Sequence, residues 1–234
     1  MRIIAGRRRG HKLEGPKNRS TRPTSDLIRE AIFNILADSV EGKLAIDLFA
    51  GTGALGMEAL SRGASRARFF EQNRENAALI HRNLSTLRYE DLGIVYHGDV
   101  FRMSARIAEL IDQTPAVIFI DPPYREYENH PGRVRKLLEA LIPRLAPGSV
   151  IVVEFDEFRD DTLLPNPEQW DVRRYGGTRI GVFRAIDDQA ESASETEFEN
   201  DENEENDEIA ENEAIEAPAA NASTENVESD RIGI

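Results

Sequence analysis

The sequence contains no cysteine and only four histidines among its 234 residues. The absence of cysteine excludes disulfide scaffolds, cysteine-ligated zinc or iron–sulfur sites, and catalysis by a thiol, including covalent attack on a pyrimidine ring. The histidines have no spacing that is typical of a metal site; they are His11, His81, His97 and His130. We therefore predict that the protein binds no metal ion.

Long hydrophobic runs are absent as well. No segment approaches the roughly 18 apolar residues of a membrane span, and the charged stretch from Met1 to Gly10 lacks the apolar centre of a signal peptide. Nothing in the composition requires an oxidising compartment. We expect a soluble, cytoplasmic protein with no membrane partner.

Charge is unevenly distributed along the chain. The net charge is −14, but 18 of the 43 acidic residues lie after Ile186, where Arg231 is the single basic residue. The preceding 186 residues carry a charge of +3, and the first 30 contain nine Arg or Lys against three acidic residues. This distribution divides the chain into a basic extension (1–24), a folded domain (25–186) and an acidic tail (187–234). The tail has too few large apolar residues to form a core, and we predict that it is disordered.

Short apolar runs alternate with amphipathic stretches in the folded domain, which is typical of an α/β fold with a mostly parallel sheet and helices on both faces. Seven strands are predicted, at 44–49, 67–70, 93–96, 117–120, 149–155, 170–175 and 178–184. Gly176 and Gly177 make the last two an antiparallel hairpin. Helices are predicted at 25–37, 55–62, 74–87, 103–111 and 133–145. The first begins at Thr24 or Ser25 as N-cap, and its apolar face comprises Leu27, Ile28, Ala31, Ile32, Ile35 and Leu36.

A glycine turn follows the first predicted strand. Gly51, Gly53 and Gly56 match the pattern G-x-G-x-x-G, in which the backbone turns tightly and exposes its amide groups to a ligand. Glu71, 20 positions after Gly51, closes the second strand, where a doubly wound fold places an acceptor for ribose hydroxyl groups. Together the two features predict a ligand that contains a nucleoside, without saying which one.

Two cofactors compete for this site, a nicotinamide dinucleotide and S-adenosylmethionine. Asp47 lies at the end of the first strand, four positions before Gly51, where its carboxylate would repel a pyrophosphate but attract a methionyl ammonium group. This position favours S-adenosylmethionine. Asp99, after the third strand, stands where an acceptor for the adenine amino group is expected.

The run Asp121-Pro122-Pro123-Tyr124 follows the buried strand 117–120. The two prolines lack amide donors and fix φ, so the Asp121 carboxylate and the Pro122 carbonyl oxygen can act as acceptors in the crevice at the strand ends. Tyr124 offers a flat face on which a base can stack. Acceptors that hold both N–H groups of an exocyclic amine would turn its lone pair toward an electrophilic methyl group, without a strong general base. We predict an amino-methyltransferase with Asp121 to Tyr124 as its catalytic residues.

Together with Asp47 to Gly53, this run resembles the signature of S-adenosylmethionine-dependent amino-methyltransferases, which methylate adenine N6, cytosine N4, guanine N2 or a glutamine amide. More narrowly, residues 1–184 resemble the RsmD family, the bacterial 16S ribosomal RNA guanine-N2 methyltransferases. The likeness is carried by segments 2–6, 10–13, 22–30 and 47–63. It implies a Rossmann-like class I methyltransferase fold and methylation of guanine 966 of 16S rRNA in the assembled or assembling small ribosomal subunit. We expect a monomer.

The resemblance also implies roles for individual residues. Asp121 to Tyr124 would hold the guanine, which must leave its stack to be reached. The cofactor would be bound by Asp47, Phe49, Gly51 and Gly53 at its methionyl end, Glu71 at the ribose, Asp99 and Val100 at the adenine, and Arg22 and Thr24 over its carboxylate. Basic side chains would neutralise phosphates of the RNA; these are Arg7, Arg8, Arg9, Lys12 and Arg125.

Three other functions stay open at this point. An amino-methyltransferase that modifies adenine or cytosine in DNA would use the same acceptors, although no segment is long enough to form a separate target-recognition region. A non-catalytic RNA-binding module would require the basic extension alone. A nicotinamide-dependent dehydrogenase is disfavoured by the carboxylate of Asp47.

Overall fold

The structure is a computed structural model that describes residues 1–16, 25–112, 114–130, 132–156 and 163–186. The chain separates into two units, Met1–Ile186 and Asp187–Ile234, and all described residues belong to the first. The acidic tail and two residues expected at the cofactor, Arg22 and Thr24, therefore lie outside the described residues.

In the described residues, seven strands form one sheet. They are β1 (Leu44–Asp47), β2 (Arg66–Glu71), β3 (Gly93–His97), β4 (Ala116–Ile120), β5 (Val150–Asp156), β6 (Trp170–Tyr175) and β7 (Thr178–Arg184), in the spatial order β3-β2-β1-β4-β5-β7-β6. The first five pair in parallel, whereas β7 is antiparallel to both β5 and β6. This confirms the predicted, mostly parallel sheet with an antiparallel C-terminal hairpin. β1 and β4 are buried along their whole length, because helices cover both faces.

Six α-helices within the ranges that the structure describes cover the sheet. They are α1 (Asp26–Leu36), α2 (Ala54–Ser61), α3 (Arg74–Leu87), α4 (Ser104–Ile111), α5 (Tyr124–Asn129) and α6 (Arg133–Leu141). Ile32, Met57 and Ile80, from α1, α2 and α3, belong to one core cluster. Ile107 and Leu138, from α4 and α6, belong to a second cluster on the other face. The arrangement is Rossmann-like, as expected. No helix in the described part of the chain is long and apolar enough to cross a membrane.

The first helix differs from its prediction at one residue. Ser25 caps α1, since its Oγ accepts a hydrogen bond from the Ile28 amide at 3.2 Å. The prediction that Leu27 belongs to the buried face is wrong, because this side chain is 69% exposed. Leu27 lies at one edge of the predicted apolar face. The face that is buried extends beyond the other edge and includes Arg29 and Phe33, where the N-terminal residues pack.

Some element boundaries also differ from the predictions. The final predicted helix ends at Leu141 instead of Leu145, and a 3-10 turn, Ile142–Arg144, follows it. Pro143 lies in that turn and has no amide hydrogen to donate to a preceding carbonyl. The short helix α5 is absent from the prediction, because Pro122 and Pro123 indicated a turn. Pro123 has an extended conformation and lies at the N-cap position of this helix.

Residues 1–13, here called the N-terminal hairpin, pack against the body of the domain. Arg2 and Lys12 form an antiparallel bridge, and Ile3 and Leu13 are buried in the core cluster of α1 to α3. Gly6 has a φ of +77°, and a Cβ at this position would overlap the backbone of Ser61 at the end of α2. The basic start of the chain is therefore part of the fold.

Glu58 of α2 binds the N-terminal hairpin to the rest of the domain through hydrogen bonds. Its fully buried carboxylate accepts hydrogen bonds from the Ile4 and Ala5 amides at 2.8 and 2.9 Å. The guanidinium of Arg29, also fully buried, lies 3.9 Å from this carboxylate and donates to the Arg2 carbonyl oxygen. Asp26 also pairs with Arg29, at 3.0 Å, but its carboxylate is half exposed. Loss of Glu58 would therefore leave two amides without their acceptor and the buried guanidinium with a solvent-accessible partner alone, which is more costly than loss of an exposed pair.

We expect Glu58→Ala to lower the free energy of unfolding by ~3–5 kcal/mol, because it removes the acceptor of two amides and one of the two carboxylates that pair with the buried Arg29. Urea denaturation measures this loss. The matched control is Glu139→Ala, which breaks the solvent-accessible ion pair with Arg135 on α6 and should cost less than about 1 kcal/mol. Equal losses in the two variants would contradict the assigned role of Glu58.

Candidate active site

A cleft of about 760 Å³ opens at the carboxyl ends of the parallel strands. Asp47 at the end of β1, Glu71 at the end of β2 and Asp121 just after β4 all line it. Asp99, after β3, and Glu154, near the end of β5, line it as well. Ligands of open α/β sheets bind at this edge, so the cleft is the candidate active site.

The glycine loop between β1 and α2 forms part of the cleft wall. Gly53 has a φ of +79°, and a Cβ there would come within 2.8 Å of Met57 Cε, so glycine is required. The Gly51 amide donates a hydrogen bond to Glu71 Oε2 at 2.7 Å. The structure therefore holds the glycine loop against the acidic end of β2.

Asp47 is the most deeply buried carboxylate of the cleft, with 2% of its surface exposed. Its Oδ2 accepts a hydrogen bond from the Gly56 amide at 3.1 Å. Burial raises the pKa of Asp47 to about 7; the Gly56 N–H opposes this rise, and the negative charges of Asp121 and Glu71 add to it. A ligand with a cationic group would relieve the repulsion among these three carboxylates. The donor set therefore fits a cation better than an anion.

Glu71 is also perturbed by its surroundings. Burial raises its pKa, while hydrogen bonds from the Asn73 and Gly51 amides lower it. The Asn73 amide donates to Oε1 at 2.6 Å. The Asn76 side chain and the Gln72 amide also lower this pKa. A carboxylate has about four lone-pair sites, so a hydroxyl group of a ligand would share or replace one of these donors. Despite the number of acidic groups, the described residues contain no cluster of three or more that could hold a metal ion.

A second part of the cleft is aromatic. The rings of Phe49 and Phe101 meet edge to face with their centroids 5.8 Å apart, and Asp99 and Val100 line the cleft with them. Asp99 Oδ1 accepts a hydrogen bond from the Phe101 amide at 2.9 Å. Aromatic rings with a carboxylate beside them suit a flat heteroaromatic ligand that carries an amino group.

Arg133 is a residue of the cleft that sequence reasoning missed. Its guanidinium carbon lies 3.8 Å from the ring centroid of Phe101, and its Nη2 is 3.4 Å from Asp99 Oδ2. Its Nη1 is 3.0 Å from Oε1 of Glu126 on α5. One cation thus joins the aromatic part of the cleft to the helix that follows Asp121. The sequence contains no signal for this role, because it depends on how α6 packs.

The run Asp121 to Tyr124 lies at the cleft, and all four residues line it. Pro122 is buried, whereas the Tyr124 side chain is 41% exposed. The Pro123 carbonyl oxygen accepts a hydrogen bond from the Glu126 amide at 2.8 Å, so the run leads directly into α5. The structure therefore brings Asp121 and Tyr124 together with Asp47, Glu71 and the glycine loop.

The predicted RNA-binding residues occupy two places. Arg7, Arg9 and Lys12 are exposed on the N-terminal hairpin, and Arg8 is half-buried with its guanidinium carbon 5.4 Å from the ring centroid of Tyr89. In the part of the chain that the structure describes, these four residues lie outside the lining of the cleft. Arg125 is exposed and belongs to the lining.

Comparison with known proteins adds independent observations. The model of the family described as "Conserved hypothetical protein 95" matches residues 1–184. The ribosomal RNA small subunit methyltransferase D of Escherichia coli (strain K12) is 32% identical over 202 residues, 84% of this chain and 94% of its own. The protein of the same name from Haemophilus influenzae is 31% identical and covers 79% of this chain and 92% of its own. The solved structure of yhhF from Escherichia coli has a TM-score of 0.64 and 30% identity, over 80% of this chain and 98% of that one.

The raised pKa of Asp47 predicts how stability depends on pH. The folded protein keeps a proton on Asp47 that the unfolded chain releases near the ordinary pKa of 3.8. The stability that this proton contributes is fully present below about pH 4 and is lost as the pH rises through about 7. Asp47→Asn removes the charge but keeps an acceptor for the Gly56 amide. This variant should exceed the wild type in stability at pH 8 by up to ~4 kcal/mol and should match it at pH 4.

Urea denaturation of the ligand-free protein at the two pH values measures this difference. Asp38→Asn removes an exposed carboxylate from another part of the fold, so it should leave the free energy of unfolding unchanged at both pH values. A difference between wild type and Asp47→Asn that is the same at pH 4 and pH 8 would show that Asp47 is charged in the folded protein throughout.

Proposed function

The chain belongs to the conserved hypothetical protein 95 family, which includes the ribosomal RNA small subunit methyltransferases D, and on this premise we propose that it methylates 16S ribosomal RNA. The methyl group would come from S-adenosylmethionine and go to the exocyclic N2 atom of a guanine. The family resemblance points to guanine 966 of the small subunit as the target.

One observation carries the proposal: Asp47 and Asp121, which follow neighbouring strands, line the same cleft. The charge of Asp121 contributes to the raised pKa of Asp47, so the two carboxylates act within one electrostatic environment. A sulfonium cofactor with an ammonium group is attracted to the first carboxylate, and an exocyclic amine is a hydrogen-bond donor for the second. The pyrophosphate of a nicotinamide dinucleotide would be repelled at the same place.

S-adenosylmethionine, when bound, supplies an electrophilic methyl group on its sulfur. Asp47 attracts the ammonium group, while Gly51 and Gly53 let the backbone approach the methionyl part. Glu71 accepts the ribose hydroxyl groups. The adenine fits the aromatic part of the cleft, where Asp99 and Val100 lie beside Phe101. Phe49, which the resemblance assigns to the methionyl end, contacts Phe101 and therefore borders the adenine as well. Closure of Arg22 and Thr24 over the carboxylate stays a prediction, since both lie outside the described residues.

Asp121 and the Pro122 carbonyl oxygen act on the target base. The lone pair of the guanine amine is delocalised into the ring, and acceptors that hold its N–H groups direct this lone pair toward the methyl group. The new nitrogen–carbon bond would form as the methyl–sulfur bond breaks, which would leave a neutral thioether. The nitrogen would become cationic and then lose one proton to Asp121 or to water, so no strong base is required. Tyr124 offers its partly exposed ring to the base after the base has left its stack.

The RNA is held by charges away from the chemistry. Arg7, Arg9 and Lys12 expose their side chains on the N-terminal hairpin, where they can neutralise phosphates. Arg8 packs against Tyr89 and contributes less of its charge to the surface. Arg125 lies beside the catalytic run and contacts the RNA near the extruded base. We expect a monomeric enzyme that acts on the assembled or assembling small subunit.

The proposal is tested with S-adenosylmethionine that is labelled in its methyl group. The substrates are 16S RNA and small subunits from cells that lack the modification, and the labelled nucleotide is then mapped. Label on N2 of one guanine supports the proposal. Label on adenine N6 or cytosine N4 would indicate a different amino-methyltransferase. No transfer, together with no cofactor binding at millimolar concentration, would leave a non-catalytic RNA-binding module.

Asp121→Ala should reduce the rate of methyl transfer by roughly 100-fold or more, because it removes the acceptor that orients the amine. Cofactor binding measured by calorimetry should survive, since Asp47, Glu71 and the glycine loop are unchanged. Asp38→Ala, which removes an exposed carboxylate away from the cleft, should keep the wild-type rate. Retained turnover in Asp121→Ala would remove this residue from the mechanism.

A triple alanine variant at Arg7, Arg9 and Lys12 should bind RNA less tightly and with a weaker dependence on salt. Each phosphate contact that is lost reduces the slope of log affinity against log salt concentration by roughly 0.7 to 0.9. Filter binding over a series of salt concentrations measures the slope. The control removes three exposed charges elsewhere, at Arg66, Arg106 and Lys136. An equal change of slope in both variants would contradict a specific role for the hairpin.

A further inference from the structure

Glu154 on β5 lines the cleft but has no part in the chemistry described above. β4 and β5 pair in parallel with Ile120 opposite Val153, so Glu154 lies within β5 at the level where Asp121 follows the end of β4. Backbones of neighbouring strands lie about 4.8 Å apart. The two acidic residues are therefore direct neighbours at the edge of the sheet.

Their side chains also point to the same face of the sheet. Phe119 and Val152 belong to the core cluster beneath α1 to α3, and side chains alternate along a strand. Two residues further along, Asp121 and Glu154 face that side as well. Asp121 and Asp47 line the same cleft, and the charge of Asp121 contributes to the raised pKa of Asp47, which agrees with this orientation. Two carboxylates thus enter the cleft side by side.

The relative position of these two residues is fixed by α5. The Tyr127 hydroxyl donates a hydrogen bond to the Glu154 backbone carbonyl oxygen at 2.9 Å, and Tyr127 is only 5% exposed. The helix that carries Tyr127 begins at Tyr124, directly after Asp121 and the two prolines. The end of β5 and the catalytic run are therefore held together, as a site for a rigid, planar ligand requires.

Two adjacent carboxylates repel each other unless hydrogen-bond donors or cations lie between them. Guanine offers such donors on two neighbouring atoms, the N1–H group and the N2 amine. The amine of adenine is flanked by the acceptors N1 and N7, and the amine of cytosine by the acceptor N3. The amine of a glutamine side chain is flanked by its own carbonyl oxygen. Among these four targets, guanine alone presents a second donor next to the amine.

On the basis of the proposed function, we propose that Glu154 is a specificity-determining residue that accepts a hydrogen bond from guanine N1–H while Asp121 accepts one from the N2 amine. This pair of carboxylates favours guanine over adenine and cytosine. In those two bases, the ring nitrogen beside the amine is an acceptor, and its lone pair would be repelled by the lone pairs of the Glu154 carboxylate. Asp121 alone does not distinguish among these bases, because each of them has an amine.

The test compares guanine with 2-aminopurine, which keeps the N2 amine but has an acceptor at N1. Each base is placed at the mapped methylation position of reconstituted small-subunit RNA, and kcat/KM for methyl transfer is measured. Wild-type protein should prefer guanine by roughly 10- to 100-fold. In Glu154→Gln, the side-chain amide can donate a hydrogen bond to N1 of 2-aminopurine. This variant should lose activity on guanine, and its preference for guanine over 2-aminopurine should be about 10-fold smaller than that of the wild type. 2-Aminopurine also lacks O6, and this difference affects the wild-type protein and the variant alike. The decisive quantity is therefore the change, between the two proteins, in the ratio of kcat/KM for guanine to kcat/KM for 2-aminopurine.

Two further variants complete the experiment. Glu154→Ala removes the acceptor without adding a donor, and it should lose activity on guanine while its activity on 2-aminopurine is kept or raised. Asp156→Asn removes a carboxylate from the same strand that does not line the cleft, and it should keep the wild-type preference. Cofactor affinity by calorimetry should be equal in all four proteins, which distinguishes base recognition from damage to the fold.

The role of Glu154 would be overturned if both Glu154 variants lost kcat/KM equally on guanine and on 2-aminopurine, so that the preference for guanine stayed that of the wild type. This outcome is possible even where guanine N2 is methylated. Failure of the wild-type protein to methylate any guanine would overturn the proposed function, and this inference with it.

Discussion

Repulsion among carboxylates at the carboxyl edge of the sheet is the interaction on which the site depends. Asp47 and Glu71 end adjacent parallel strands, and Asp121 follows the next one, so the topology of the fold concentrates negative charge in one cleft. Amides of Gly56 and Gly51 offset part of this charge without neutralising it. The ligand-free protein is destabilised by the arrangement, and the same arrangement becomes favourable when a cation and N–H donors enter.

Much of this organisation could be predicted because it is local in the sequence. β4 is apolar throughout, β1 is apolar up to its last residue, and Asp47, Glu71 and Asp121 stand directly at or after strand ends. Gly176 and Gly177 mark the hairpin that places an antiparallel pair at the edge of the sheet. Proximity of Asp47 and Asp121 then follows from the rule that parallel strands present their carboxyl ends at one edge.

The features that sequence reasoning missed depend on contacts between distant segments. The basic start of the chain is predicted to be an extension, but in the structure Ile3 is buried. The amides that follow Ile3 donate to Glu58, which lies more than 50 positions later in the sequence. Arg133 reaches Asp99 only through the packing of α6. The pairing of Asp121 with Glu154 requires the register of β4 and β5, which no local pattern specifies.

The helix α2 contacts both the glycine loop and the N-terminal hairpin. Its first turn follows the glycine loop, while Glu58 and Ser61 on its later turns hold the N-terminal hairpin through the Ala5 backbone. Asn83 adds a second link, since its side-chain amide donates to the Thr52 carbonyl oxygen in the glycine loop and to that of Glu14 just beyond the hairpin. The exposed basic hairpin and the glycine wall of the cleft are thus tied to the same helix. In the proposed enzyme, the residues that would bind phosphates could not move independently of those that would face the methyl donor, so the nucleic acid would have to supply the deformation that delivers the base.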